Sequence, residues 1–484
     1  MKVVRWEGWA LAAILLVALA ARVIGLDAGL WYDEIFTLTH YVRAPVGQVL
    51  TDFSSLNNHM FYSLQAKAAV AIFGESAWSL RLPAMLSGLA SLIVLWAMAR
   101  GVAGRLPTLF AVFLLAVSYH HVWFSQNARG YTGLLLLTSL ATLLLIEGLK
   151  RPDWRVCAAY GLSVAAGMYT HLSAGFFFAS HALVYGLAWL ARGAKGLAPY
   201  PGLRDIRPAV GFGLGGLLTA LLHLPLFTQV IAAIGKVSNS KTTPSMAEWV
   251  NPLRTLHEIV GSLAVFGPLA PMALGGVLLA ILTGAALLWR RAPLFVAIYA
   301  ISIPLALSLL MLLDFRIWPR YFFVDIGFVF LCLAVGAHAF CGWAARLLRM
   351  PRLELPFFAA GVLVASAASF ALLVRNYELP KQDFDGALRL IEAQREVGDV
   401  ATSMGLASEP IRSYFEPDWP VVQSAADLAS IEARARHVWV VTAFDDHVRP
   451  EQEAALSHVR RDFALVRKLD GTLGGGTVKV YRSR

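Results

Sequence analysis

Two adjacent carboxylates, Asp33 and Glu34 in the stretch WYDEIFT, follow closely on an apolar run long enough to cross a bilayer. A carboxylate at a lipid boundary is costly to desolvate and persists where water or a counter-charge meets it. Such a group can take a proton from an acceptor hydroxyl; the same pair can also cap a short loop helix. Further polar islands sit at the ends of apolar runs. They are Asn57, Asn58 and His59 in NNHMFYSL, Arg81 in SAWSLRL, Gln126, Asn127, Arg129 and Tyr131 in WFSQNARGYT, His171 in MYTHLSAG, and Arg316, Arg320 and Tyr321 in DFRIWPRYFF. Guanidinium groups hold phosphate oxygens in a fixed fork and stabilise charge that develops on a leaving group. Acid on one loop with arginines on later loops is the arrangement wanted by a transfer reaction that leaves an anionic phosphate behind.

Each island also has a plainer reading. An arginine ahead of an aromatic run anchors a helix at the interface, and His120, His121 and His171 at span ends suit packing. His59 with Asp33 makes a metal site only if other ligands arrive, and no spacing enforces that. No cofactor is expected, with a divalent cation left as an open alternative.

These residues need a scaffold, and composition names its solvent. Of 484 residues 58% are hydrophobic and 15% charged, with a mean hydropathy of +0.62, the balance of a polytopic membrane protein. Apolar runs at 9–26, 82–99, 106–124, 131–149, 156–170, 173–191, 209–231, 269–289, 294–313, 321–345 and 356–374 give about eleven helical spans. The first has no small-residue cleavage site and is expected to stay attached. With the N-terminus and Lys2 inside, the short connectors bearing Arg100 and Arg105, Lys150, Arg151 and Arg155, Arg192 to Arg207, Arg290 and Arg291, and Arg346 to Arg352 share its side. Fewer cations, among them Lys236, Lys241, Arg254 and Arg316, lie opposite, so the positive-inside rule turns Asp33 and Glu34 outward. The net charge of +10 is spread over these connectors, which argues against a nucleic-acid partner. Cys157, Cys332 and Cys341 all lie in apolar runs, so no disulfide framework is implied.

The first outer loop, 27–80, is expected to lay short amphipathic helices along the interface. Beyond the membrane portion, 1–375, the tail 376–484 alternates helical and strand periods. FDGALRLIEAQREV and EQEAALSHVRRDF read as helices, and DVATSM, VWVVTAF and TVKVYR as strands, so a small extracytoplasmic α/β domain is expected. GTLGGGTV lacks the lysine-serine ending of a phosphate loop and reads as a hairpin before the last strand.

The ordered series WYDEIFTL, NNHMFYSL, GESAWSLRLPAMLSG, WFSQNARGYTGLLLL, MYTHLSAGFF and PRYFF resembles bacterial glycosyltransferases of the GT-C fold. The relatives are the protein O-mannosyltransferases and the lipid A aminoarabinose transferase. The resemblance covers roughly 9–190, with weaker support near 316–330. It implies a multi-pass enzyme of the bacterial inner membrane that moves a monosaccharide from a polyprenyl-phosphate donor to a glycan, lipid or protein acceptor on the extracytoplasmic face. It also implies that Asp33 is the base, with Glu34 beside it, and that Arg129, Arg320 and Tyr321, with His59, surround the donor phosphate. Asn57, Asn58, Arg81, Gln126, Tyr131 and His171 are expected to line the substrate cavity. Two departures stand out: Met60 follows His59 where relatives commonly have proline, and Asn127 stands where many carry glutamate. A transporter or flippase of lipid-linked sugars is the other reading. Transporters, however, bind at the midplane between inverted repeats, whereas these polar residues gather at one surface and no repeat is visible.

Overall fold

The computed structural model describes residues 5–239, 267, 270–315 and 317–484. Lys2, Lys241, Arg254, Arg316 and the side chain of Lys236 lie outside the described residues.

Helices occupy every expected span: α1 (Arg5–Val23), α5 (Ala77–Ala99), α6 (Arg105–Val117) with α7 (Tyr119–Ser125), α8 (Tyr131–Lys150), α9 (Trp154–Thr170), α10 (Ala174–Leu190), α11 (Ile206–His223) with α12 (Phe227–Asn239), α13 (Ala270–Trp289), α14 (Pro293–Leu312), α15 (Ile326–Leu347) and α16 (Glu354–Glu378). Among the described residues, eight are long and apolar enough to cross a bilayer, or nine if the bent pair α6–α7 is one span. The remaining difference from eleven rests on α9 and α10, of 17 residues each. At 1.5 Å per residue these reach about 26 Å, just short of a core about 30 Å thick.

Small residues let the helices approach. A Cβ on Gly336 would overlap the Ala280 carbonyl, and one on Gly284 the Cys332 carbonyl, so α13 and α15 meet backbone to backbone. The run expected as one span over 106–124 instead bends by 57° at Ser118, whose backbone is extended. The fully buried Arg22 closes the bend, its guanidinium donating to the Ala116 carbonyl at 2.9 Å and to Ser125 Oγ at 3.1 Å.

The loop after α1 folds into α2 (Tyr32–Thr37), α3 (Val46–Thr51) and α4 (Met60–Phe73). SAWSLRL is no separate interfacial helix, because α5 begins at Ala77 on a Ser76 cap. The loop has a core of its own, in which Leu30, Ile35, Leu38, Tyr62, Leu80 and Ala128 pack together. After α16 comes a small sheet domain with strands β1 (Val400–Gly405), β2 (Val421–Val422), β3 (Val438–Ala443), β4 (Phe463–Leu469) and β5 (Val478–Ser483) in the order β2-β1-β3-β5-β4. The first three are parallel and β5 runs antiparallel to β3 and β4. GTLGGGTV falls in the turn joining β4 to β5, as expected, whereas β4 itself was hidden behind the helical period that precedes it.

Candidate active site

Asp33 is the second residue of α2, whose start is held by the next residue. Glu34 is fully buried, and Arg81 donates to it from Nε (2.8 Å) and Nη2 (2.6 Å). The Ala128 N–H adds a third bond at 2.6 Å. Arg81 spends its other donors on the Leu26, Ala28 and Gly29 carbonyls. Burial pushes the Glu34 carboxyl up, but the Arg81 and Lys381 charges with these hydrogen bonds pull it below its ordinary value. The pair therefore ties the start of α2 to α5 and to the α7–α8 connector, and leaves no carboxylate edge open. Of the residues expected at the site, Glu34 and Arg81 are spent on each other and on backbone groups. Asn58 donates to Val49 and Asp52 carbonyls and accepts from Ser63. Gln126 donates to the Arg22 and Ile24 carbonyls and accepts from Asn376. Asn57 donates to the backbone carbonyl of Asp33 at 3.2 Å.

Asp33 keeps its side chain 20% exposed, with Oδ2 3.1 Å from Nη1 of Arg129, which is itself 5% exposed. The contact is Coulombic and not aligned for hydrogen bonding, so among the described residues Nε and Nη1 of Arg129 are buried without a hydrogen-bond partner, as is Nε of Arg320. Buried donors left unpaired in a folded chain cost free energy and point to a ligand or water that completes them. Arg320 lies over the Trp318 ring, 4.5 Å from its centroid, and is near enough for the Asp33 charge to act on it.

His59 precedes α4 and joins the two halves of the site. Its Nδ1 faces the Gly130 N–H at 2.8 Å and its Nε2 lies 3.1 Å from Arg129 Nη2. A backbone N–H only donates, so Nδ1 accepts and the network assigns the ring proton to Nε2. Burial, then the charges of Arg129, His171 and Arg320, hold His59 well below its ordinary pKa, so the ring is neutral. Nε2–H and Arg129 thus point donors at each other. His171 stacks edge-on to His59 at 4.6 Å, Tyr131 to His59 at 5.2 Å, and Tyr321 lies 6.3 Å from His171. Seven expected residues therefore converge: Asp33, His59, Arg129, Tyr131, His171, Arg320 and Tyr321. The N-terminus of α8, just past Arg129, adds its positive dipole end.

Asn127, one of the polar residues of WFSQNARGYT, accepts from Trp31 Nε1 at 3.1 Å, and its Nδ2 is buried with no hydrogen-bond partner among the described residues. Two contributors were missed. Lys381 donates to the Gln126 carbonyl at 2.5 Å, and Gln382 accepts the Tyr32 N–H at 3.1 Å. Burial, then the Arg81 charge, draws the Lys381 ammonium down to about 7, against the pull of Glu34. The only signal in the sequence is their place directly after the last span. Among the described residues, no three His, Cys, Asp or Glu side chains converge on a cation position.

The family model described as dolichyl-phosphate-mannose-protein mannosyltransferase matches residues 60–198, which include His59's neighbour Met60, Arg81, Arg129, Tyr131 and His171. No curated protein matches the chain. Among solved structures it is similar to ArnT from Cupriavidus metallidurans in the apo state, at 16% identity and a TM-score of 0.59 over 98% of this chain and 97% of that one. It is similar to the same protein bound to undecaprenyl phosphate at 14% identity and a TM-score of 0.54, covering 98% of each chain. It is also similar to the archaeal oligosaccharyltransferase AglB from Archaeoglobus fulgidus, in complex with an inhibitory peptide and a dolichol-phosphate. That match has 12% identity and a TM-score of 0.57 over 90% of this chain and 69% of that one. The chain is thus a polytopic helical protein with the fold of ArnT and AglB, and its segment 60–198 matches the dolichyl-phosphate-mannose-protein mannosyltransferase model.

Proposed function

We propose that this protein transfers a monosaccharide from a polyprenyl-phosphate donor to an acceptor hydroxyl, with inversion, on the extracytoplasmic face of a bacterial inner membrane. The observation that carries this reading is a part-exposed carboxylate 3.1 Å from a buried guanidinium whose Nε and Nη1 have no hydrogen-bond partner among the described residues. Asp33 takes the proton of the acceptor hydroxyl as its oxygen attacks the anomeric carbon. The C–O bond to the lipid phosphate breaks on the opposite face, and the phosphate leaves with the bonding pair. Arg129, Arg320 and the Nε2–H of His59 receive its charge; a phosphate oxygen between Arg129 and His59 relieves their opposed donors. Tyr131, His171 and Tyr321 wall the cavity. A lipid phosphate leaves without a dedicated acid, so one carboxylate suffices, unlike the two-carboxylate scheme of glycoside hydrolysis. Glu34 and Arg81 act as positioning residues.

In this reading α9 and α10 also cross the membrane, giving eleven spans, a cytoplasmic N-terminus and an outward sheet domain over the site. The cation-rich connectors on the opposite side support that orientation. The bound undecaprenyl phosphate of ArnT and dolichol-phosphate of AglB support the lipid-linked donor class. This mechanism uses no resident metal, so chelation with EDTA is expected to leave transfer unchanged.

The test is a host lacking the gene, complemented with the wild type or with Asp33→Asn, and mass analysis of its glycolipids, polysaccharides and glycoproteins. Loss of one monosaccharide unit from one class, restored by the wild type alone, is the expected result. Full restoration by Asp33→Asn removes the reading.

A further inference from the structure

At the end of the bundle opposite Asp33 lies a cavity of about 590 Å³ between the start of α1, the start of α6, the end of α13 and the later turns of α15. Its opposite placement follows from chain direction. Helix α1 runs from Trp6 toward the Asp33 loop, and α15 runs from just after Arg320 toward His338. Leu287 and Val335 give it apolar walls, Trp6 stands at its rim, His338 lines it, and Arg105 and Arg291 give it positive charge.

The nearby acids are already engaged. Glu7, 1% exposed, accepts from Trp96 Nε1 at 3.2 Å and lies 4.0 Å from Arg100 Nε. Glu354 lies 3.7 Å from His338 Nε2. Nε of Arg105 is 3.6 Å from Glu7, too far for a hydrogen bond, and is buried without a hydrogen-bond partner among the described residues. Arg291 commits Nη1 to the Val102 carbonyl at 3.1 Å. The opening therefore joins apolar walls to two guanidinium groups, an exposed Arg291 and an Arg105 whose buried Nε has no hydrogen-bond partner among the described residues. Basic pockets between spans on the cytoplasmic side are where anionic lipid headgroups lodge.

We infer that this cavity holds an anionic glycerophospholipid of the leaflet opposite the Asp33 site, its phosphate between Arg105 and Arg291 and an acyl chain along Leu287 and Val335. Neither arginine belongs to the transfer site, so the inference stands apart from the proposed reaction.

The experiment is native mass spectrometry of the full-length protein in detergent, titrated with dioleoylphosphatidylglycerol, with dioleoylphosphatidylcholine as the neutral comparison and inorganic phosphate as the headgroup anion alone. Phosphatidylglycerol binds the wild type more tightly than phosphatidylcholine. The double variant Arg105→Gln/Arg291→Gln weakens it by about tenfold or more, and free phosphate does not displace it. Val335→Trp, which fills the cavity and keeps both arginines, also loses the lipid and decides the matter if the double variant does not fold. Equal binding of the two lipids, displacement by inorganic phosphate, or unchanged phosphatidylglycerol binding in either folded variant overturns the inference.

Discussion

Asp33 and Glu34 are chain neighbours, and each meets an arginine, yet the two ion pairs are built to opposite ends. Glu34 and Arg81 have 0% side-chain exposure and bond in parallel, with a backbone N–H from Ala128 completing the carboxylate. Asp33 and Arg129 meet through one unaligned contact, with the acid part-exposed and the guanidinium's donors unspent. A closed pair has satisfied all its bonding and can only hold structure. An open pair in the same pocket retains both a base and a cation for something that arrives. Adjacent acids in sequence thus say little about shared roles; the fate of the partner arginine separates them.

The sharpest way to break this comparison is to remove each negative charge while keeping its shape. Asp33→Asn should lower transfer by about 100- to 10,000-fold, the usual range for a general base, with membrane yield and melting temperature unchanged. Glu34→Gln should do the reverse. It strands the Arg81 cation in the interior, which costs about 3–5 kcal/mol, and it reads out as lost yield and a lower melting temperature in detergent. If Glu34→Gln folds like the wild type and only activity falls, the division of labour between the two acids is wrong.

Much of this is legible in the sequence, for physical reasons. Apolar runs must become helices in a bilayer, so span positions followed from hydropathy and the polar islands followed as span ends. That placed Asp33, Arg129 and Arg320 on one surface. Which islands face inward was not legible, because it depends on partners far along the chain. Lys381 reaches the Gln126 carbonyl across 255 residues, and no local period announces that. Arg81 lies in an amphipathic-looking segment, and only its saturation by Glu34 and three carbonyls shows that it has no donor left for substrate. The bend at Ser118 was equally hidden, since it is held by Arg22 from another helix.

A smaller change sharpens the open pair itself. Arg129→Lys keeps the charge opposite Asp33 but replaces a planar fork with a point charge. Protein fold is retained because the guanidinium's Nε and Nη1 make no hydrogen bond that the change could remove. Undecaprenyl phosphate binding, measured by microscale thermophoresis on the purified protein, should weaken by about tenfold, in line with a charge-assisted hydrogen bond of about 1.5–3 kcal/mol. Equal binding by the lysine variant would mean that Arg129 serves Asp33 alone.

The smallest effect concerns pH and the neutral ring between these groups. His59 is held well below its ordinary value of 6.5 by burial and by the Arg129, His171 and Arg320 charges. The unfolded chain therefore takes up a proton at this position below 6.5 that the folded chain refuses. A group depressed in the folded state gives stability that is intact above 6.5 and is lost progressively as pH falls from there toward the folded value. The loss amounts to about 1.4 kcal/mol per pH unit for one proton. His59→Gln keeps an acceptor for the Gly130 N–H and cannot titrate, so its melting temperature between pH 6.5 and 5 should fall less steeply than that of the wild type. Gly130→Ala probes the same contact sterically, since its Cβ would lie 3.0 Å from His59 Nδ1 and 2.7 Å from Thr170 Cγ2. It should lower stability at every pH while leaving the wild-type slope. Parallel acid limbs in the wild type and His59→Gln would show that His59 is charged in the folded protein, and the phosphate would then meet an imidazolium where a neutral donor is assigned here.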